Sequence, residues 1–176
     1  VKVIEVAVRH VQHVNPGDEL LRLDPEPFQL ALATAKAKLD TGRSDYEKAK
    51  STLASLTTLA DLALKNVELK KRDVERKQKL VASQAGSAAD VDTSMTGLVT
   101  AQLQAQITKQ QRETTLSSLL GNPDLPMADF PEYAQAKAAV DNAQRDLDHT
   151  ILRAPISGTA TQVDNIQLGR FVSAGG

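Results

Sequence analysis

Cysteine and tryptophan are both missing from this 176-residue chain, and aromatic residues make up only 3% of it. Without cysteine there are no disulfides and no thiolate metal sites. So few rings argue against a large globular core, because such cores take much of their buried area from aromatic side chains. Charge of one sign is lacking too: 21 Lys and Arg against 22 Asp and Glu leave a formal net charge of −1. That is too little to gather nucleic acid or an anionic membrane at long range. No run approaches the ~18–20 apolar residues of a membrane-spanning helix, and no signal peptide is legible. The chain opens at Val1 inside a strand-like pattern, which reads as a piece of a longer protein.

Motifs that carry chemistry are missing as well. Gly17, Gly158, Gly169, Gly175 and Gly176 never fall into GxGxxG or a P-loop, and no Gly-x-Ser-x-Gly element occurs. His10 and His13 are an odd number of residues apart, which on a strand puts them on opposite faces and prevents joint chelation. His149 has no neighbours at ligand spacing. No catalytic, cofactor or metal site is expected.

What the chain does have is a long alternation of Leu, Ala and charge from Pro27 to Thr150. Leu32, Ala35, Leu39, Gly42, Tyr46, Ala49, Leu53, Leu56, Ala60, Ala63, Val67, Lys70, Val74, Lys77 and Val81 follow a strict 3,4 spacing. An average of 3.5 residues keeps one stripe of a slightly underwound helix against a partner helix. Lys70 and Lys77 can lay their methylenes in such a seam while the ammonium reaches water. A helix from about Phe28 to Ser83 spans roughly 80 Å at ~1.5 Å per residue. Its apolar face is too narrow for a globular core, so it reads as a coiled-coil arm.

The arm is flanked by short strands. Val1–Val8 alternates apolar and polar residues as a half-buried strand does. Asn15-Pro16-Gly17-Asp18 is a turn signal, Leu20–Leu23 a second strand, and Asp24-Pro25-Glu26-Pro27 the start of the helix. Two strands alone are marginal in water. Their expected partners lie at the far end, where Ala160-x-x-Val163 and Val172-Ser173-Ala174-Gly175 echo Val3-x-x-Val6 and Val14-Asn15-Pro16-Gly17. The arm turns at Ser83–Ser87, with Gly86 expected in the left-handed region and Ser87 as an N-cap followed by Asp90. A return helix from Ala88 to Leu120 has Val91, Met95, Leu98, Ala105, Leu116 and Leu119 on its seam, with Gln102, Lys109 and Arg112 as polar interruptions. Gly121 to Pro126 breaks it, and a further helix runs from Pro131 to Thr150. Equal arm lengths place the break beside Leu53–Leu59. The basic run Lys65–Lys79 reads either as a solvated face or as a docking surface for an acidic partner.

These residues resemble the periplasmic adaptor, or membrane fusion, proteins of the HlyD/EmrA/AcrA type. Val14-Asn15-Pro16-Gly17-Asp18-Glu19-Leu20-Leu21-Arg22-Leu23-Asp24-Pro25 looks like the first half-motif of their biotinyl-lipoyl-like domain. Leu147 to Gly158, with its L-x-x-T-x-x-x-A-P-x-x-G pattern, looks like the start of the second half. Arg76-x3-Leu80-x6-Ser87 matches the family's hairpin-tip pattern, and Asp92 also falls at a familiar spacing. The length of the hairpin and the interruption at Gly121–Pro131 look most like EmrA-type adaptors. The second half-motif reaches Gly176 before any counterpart of Leu20–Asp24.

The resemblance implies a mainly α fold with a small β domain: a long antiparallel coiled-coil hairpin inserted between the halves of a biotinyl-lipoyl-like β-sandwich. Residues 1–26 would be the first half-motif, 27–150 the hairpin with its tip at 83–88 and break at 121–131, and 151–176 a truncated second half. Gly17, Pro155, Gly158 and Gly175 would form the half-motif turns. Arg76, Leu80 and Ser87 would dock to a TolC-like outer-membrane channel. The implied protein is not an enzyme and takes no cofactor, metal or nucleic acid. It would sit in the periplasm of a Gram-negative bacterium, anchored in full length to the inner membrane. There it would link an inner-membrane transporter, favoured to be of the major-facilitator type, to the channel as a homo-oligomer of six. An adaptor for type I secretion or metal efflux is the alternative within the family. Outside it stand a structural coiled-coil protein and a biotinyl or lipoyl carrier, and the latter lacks an acceptor Lys on a tight turn between the half-motifs.

Overall fold

The computed structural model of the protein describes residues 2–161, 163, 166, 168 and 169. Its elements follow the order β1 (Val3–Val6), β2 (Gln12–Val14), β3 (Glu19–Leu23), α1 (Glu26–Ala82), α2 (Ala88–Ser118), a 3-10 turn (Met127–Asp129), α3 (Pro131–Asp148), β4 (Ile151–Arg153) and β5 (Gly158–Ala160). Two compact units result: residues 1–42 with 131–176, and residues 43–130. The boundaries fall inside α1 and before α3, within the stretch read from sequence as one hairpin.

In the first unit the strands make two small sheets, both of which join the two ends of the chain. β3 lies between β1 and β4, antiparallel to each, with Val3 opposite Leu23 and Arg22 opposite Ile151. β2 pairs antiparallel with β5, Val14 opposite Gly158. Val3, Val14, Ala154 and Thr150 are buried. Thr150 can be buried because its hydroxyl donates to the Leu147 carbonyl at 2.7 Å while its own carbonyl accepts the Leu23 N–H at 2.8 Å. The strand expected over Val1–Val8 is shorter, because the chain turns at Arg9–Gln12, with Val11 at φ 61.

α1 begins where Asp24 Oδ1 accepts the Glu26 N–H, and Pro27 sits in the first turn, where no intrahelical donor is needed. Its 3,4 stripe is the buried one. Leu32, Ala35, Gly42, Leu53 and Val74 are buried, and the other seam positions are half-buried except Lys70. In the first unit this stripe receives α3 through Tyr133, Ala136, Val140, Ala143 and Leu147, all buried or half-buried. The helices approach closely at Gly42, where an added Cβ would lie 3.1 Å from the Tyr133 Cα.

In the second unit α1 receives α2. Here the structure corrects the expected seam. Val91, Leu98, Ala105 and Arg112 face α1 as read from sequence, but the positions between them shift by one residue. Ser94, Ala101 and Thr108 are buried, whereas Met95 is 47% exposed and Gln102 and Lys109 lie outside. Ser94 and Thr108 tolerate this burial because their hydroxyls are satisfied on their own helix, with Ser94 bonded to Asp90 O and Val91 O and Thr108 to Gln104 O. They then pack as small residues.

The break also sits closer to the start of α1 than expected, beside Tyr46–Leu53, because pairing mirrored about the turn sends Gly121 to that level. Leu119, Leu125 and Phe130 are buried there. The Tyr46 hydroxyl donates to Leu125 O at 2.7 Å, its ring meets Phe130 edge-on at 5.6 Å, and Lys50 donates to Pro123 O.

Replacing Gly42 by Leu forces α1 and α3 apart. Despite the better helix propensity of Leu, the substitution should cost about 1–3 kcal/mol, read as a lower thermal midpoint in circular dichroism with the helical signal retained at low temperature.

Candidate functional site

The turn joining α1 to α2 is built by hydrogen bonds that close both helix ends. Gln84, at φ 58, takes the left-handed position. Its N–H donates to Val81 O and that of Ala85 to Leu80 O, each at 2.9 Å, which satisfies carbonyls left open by the end of α1. The left-handed role expected of Gly86 therefore belongs to Gln84. Gly86 is required for space instead, since a Cβ there would meet Leu80 Cβ at 3.0 Å and Val81 N at 3.1 Å. Ser87 caps α2, with extended backbone and its hydroxyl accepting the Ala89 N–H at 3.2 Å.

On the α1 side, Val74, Lys77 and Val81 occupy the seam, which turns Arg76 and Leu80 outward. The Arg76 side chain is 72% exposed and Leu80 is 44% exposed. A shallow groove of about 390 Å³ runs between Arg72, Glu75, Arg76, Lys79, Leu80 and Ser83. Arg76 and Leu80 thus share one surface, whereas Ser87 is not among the residues lining it. Sequence reasoning named the basic run but did not single out Arg72, Lys79 or Glu75, whose i, i+3 and i+4 relation to Arg76 and Leu80 was the available signal. Asp73 belongs to the same run, three residues before Arg76 and four before Lys77. One carboxylate oxygen of Asp73 receives the Arg76 guanidinium, and the other lies 3.3 Å from Lys77 Nζ. The Lys77 hydrogen bond and charge, joined by Arg76, hold the Asp73 carboxyl below the usual carboxylate range.

The half-motif turns are built differently. Pro16 and Gly17, at φ 92, form a turn closed by Asp18 N to Asn15 O at 3.1 Å and Asn15 N to Asp18 Oδ2 at 2.8 Å. This turn grips the other half-motif: Gly17 N donates to Ala154 O and Ala154 N to Asp18 O, both at 2.8 Å, and Arg153 reaches Gly17 O at 3.0 Å. Pro155 follows directly and Gly158 opens β5. Gly175 lies outside the described residues. His13 is on β2 and His10 in the turn before it, and no group of three potential metal ligands occurs among the described residues.

This combination has a match in known proteins. The family model for the RND membrane fusion protein (MFP) barrel-sandwich hybrid domain matches residues 2–176. The chain belongs to this family. Its members are adaptors and not enzymes. Among curated relatives, multidrug resistance protein MdtA of Proteus mirabilis is 29% identical over 93% of this chain and 28% of its own length. Multidrug resistance protein MdtN of Shigella flexneri is 26% identical over 98% of the chain and 51% of its own length. The membrane fusion protein chain described here thus spans about half or less of these relatives. Among solved structures, the periplasmic adaptor protein EmrA matches at 19% identity and a TM-score of 0.46, over 99% of this chain and 66% of that one. No helix among the described residues is long and apolar enough to cross a membrane.

A carboxyl held low by cations keeps its contribution to the hairpin at neutral pH and loses it only as pH falls through the folded-state value. In a carbon-detected NMR titration, Asp73 should therefore show a midpoint below that of an unfolded peptide containing the same residues. Lys77→Met should raise that midpoint.

Proposed function

We propose that this chain is the hairpin and lipoyl-like part of a periplasmic adaptor that links an inner-membrane transporter to a TolC-like outer-membrane channel. The observation that carries the reading is the surface at the turn, where Arg76 and Leu80 are spared by the seam and share a groove with further cations. A Leu that gains little from its own hairpin is suited to insert into a groove on a helical partner. Arg76 beside it supplies bidentate hydrogen bonds to a carboxylate or to carbonyls at a helix end. Ser87 contributes by fixing the direction in which α2 leaves the turn. Residues 1–26 and 151–176 act as the two lipoyl-like halves, with Gly17, Pro155 and Gly158 at their turns, and 27–150 as the hairpin between them.

The mechanism involves no bond chemistry. Hairpins of about six copies pack side by side into a tube whose tips meet the channel, giving the exported substrate a sealed route. The interrupted return arm favours a major-facilitator transporter as the inner-membrane partner. The adjacent transporter gene tests that assignment, and an RND gene in that place overturns it.

Leu80→Ser and Arg76→Asp in the full-length protein should each abolish export and crosslinking to the channel. Both residues point away from α2, so helicity should be unchanged and the melting temperature should move by no more than a surface substitution allows, about ±0.5 kcal/mol in stability. Normal export by both variants would move the docking surface elsewhere, and loss of helicity in both would make them packing residues.

A further inference from the structure

Two of the cations at the groove beside the turn are held by carboxylates one turn earlier on α1, and the two are held differently. Arg72 donates through Nε to Glu68 at 3.1 Å, with side chains 69% and 55% exposed. A solvated pair of this kind orders little by itself. Arg76 bonds to one carboxylate oxygen of Asp73, and the other oxygen lies 3.3 Å from Lys77 Nζ. Here the Asp73 and Lys77 side chains are only 28% and 32% exposed, since Lys77 is a seam position and Asp73 adjoins the seam residue Val74. The carboxylate is therefore fixed from the hairpin side, and it fixes Arg76 in turn.

This arrangement leaves Arg76 able to bind. Helical side chains lean toward the N-terminal end of their helix, so an acceptor three residues earlier is well placed for an Arg on this ridge. Arg76 lines the groove and Asp73 does not. A guanidinium has five N–H donors, and among the described residues only Nη2 is engaged, on a single Asp73 oxygen. Whichever of its two hydrogens Nη2 gives, one two-donor edge stays free. Bidentate recognition of a carboxylate needs such an edge.

Two effects of Asp73 on docking oppose each other. Its charge competes with an acidic partner for Arg76. Against that, it orders a long side chain before contact, and ordering such a chain during binding weakens affinity by about 2–10-fold. Competition is the smaller effect, because the Lys77 ammonium offsets the Asp73 charge and a partner can use the free edge without breaking the Asp73 bond.

We propose that Asp73 is a positioning residue for docking, which holds the Arg76 guanidinium at the rim of the groove so that a carboxylate or helix-end carbonyl of the partner meets an ordered pair of donors. The inference rests on the docking role given to Arg76 above.

The test is a double-variant cycle on the full-length adaptor, with affinity for the purified outer-membrane channel read by surface plasmon resonance. Asp73→Asn keeps the shape, removes the charge and should weaken binding by about 2–10-fold. Arg76→Gln should weaken it further, and adding Asp73→Asn to Arg76→Gln should then change nothing, because the carboxylate has no guanidinium left to hold. Asp73→Glu keeps a carboxylate at the same spacing to both cations and should recover most of the affinity lost in Asp73→Asn. Equal losses from Asp73→Asn in both backgrounds would mean a purely structural role and overturn the proposal. So would tighter binding by Asp73→Asn, which would make Asp73 a competitor, or an Asp73→Glu variant as weak as Asp73→Asn. Unchanged affinity in Asp73→Asn with weakened binding in Arg76→Gln removes the positioning role alone. Unchanged affinity in Arg76→Gln removes the docking role of Arg76 and this inference with it.

Discussion

A single apolar stripe on α1 has to serve two partner helices in succession. Around Gly42 it faces α3, close enough for a glycine to meet the Tyr133 backbone. From Leu53 onward it faces α2. The stripe can change partners because its 3,4 period never lapses, while the partners change over at a small core of their own. Leu119, Leu125 and Phe130, closed by the Tyr46 hydroxyl on Leu125 O, fill that core. Burial of these side chains, each worth ~1.5–3 kcal/mol when complete, offsets the helical hydrogen bonds lost where the return arm is interrupted.

The same stripe decides which residues are left for partners. A seam only two positions wide per heptad cannot engage the ridges beside it. Arg76, Leu80, Leu62 and Leu69 all lie on such a ridge, and this is how a helix can be fully committed to its own hairpin and still present a second, differently composed face. Asp73 sits between the two surfaces, half-buried and shared by Arg76 and Lys77. It joins a seam residue to a docking residue through one carboxylate.

Much of this is legible in the sequence. The period of α1 was read position by position, because Leu, Ala and Val mark its seam directly. The period of α2 is legible at Val91, Leu98, Ala105, Arg112, Leu116 and Leu119, but not at Met95, Gln102 and Lys109, each one residue past the buried position. There the exposed residues are the larger apolar ones, such as Met95, and the buried ones include Ser94 and Thr108. Hydrophobicity ranks Ser94 below Met95, the reverse of their burial, and the hydroxyl bonded back to its own helix lets Ser94 be buried without an unmet polar group. The turn failed for a related reason. Gly86 was assigned by its conformational freedom, yet Gln84 adopts the left-handed backbone and Gly86 makes room for Leu80. At the candidate site, Arg76 and Leu80 were visible as a motif. Asp73 is outside that motif, although its i, i+3 and i, i+4 spacing to Arg76 and Lys77 is the signal for both ion pairs.

The hydroxyl-lined part of the seam bears on how such a hairpin can evolve in length. Ser94, Ala101, Ala105 and Thr108 present small, nearly interchangeable surfaces to α1, so the middle of the arm holds little memory of which residue faces which. Register is set at the ends, by the tight turn at Gly86 and by the Tyr46–Phe130 core. Seven residues added to or removed from both arms together restore the stripe, both end structures and the orientation of every outward ridge. Hairpin reach is thereby a quantity that lineages can adjust in whole heptads, without redesigning either the turn that meets a partner or the break that closes the return.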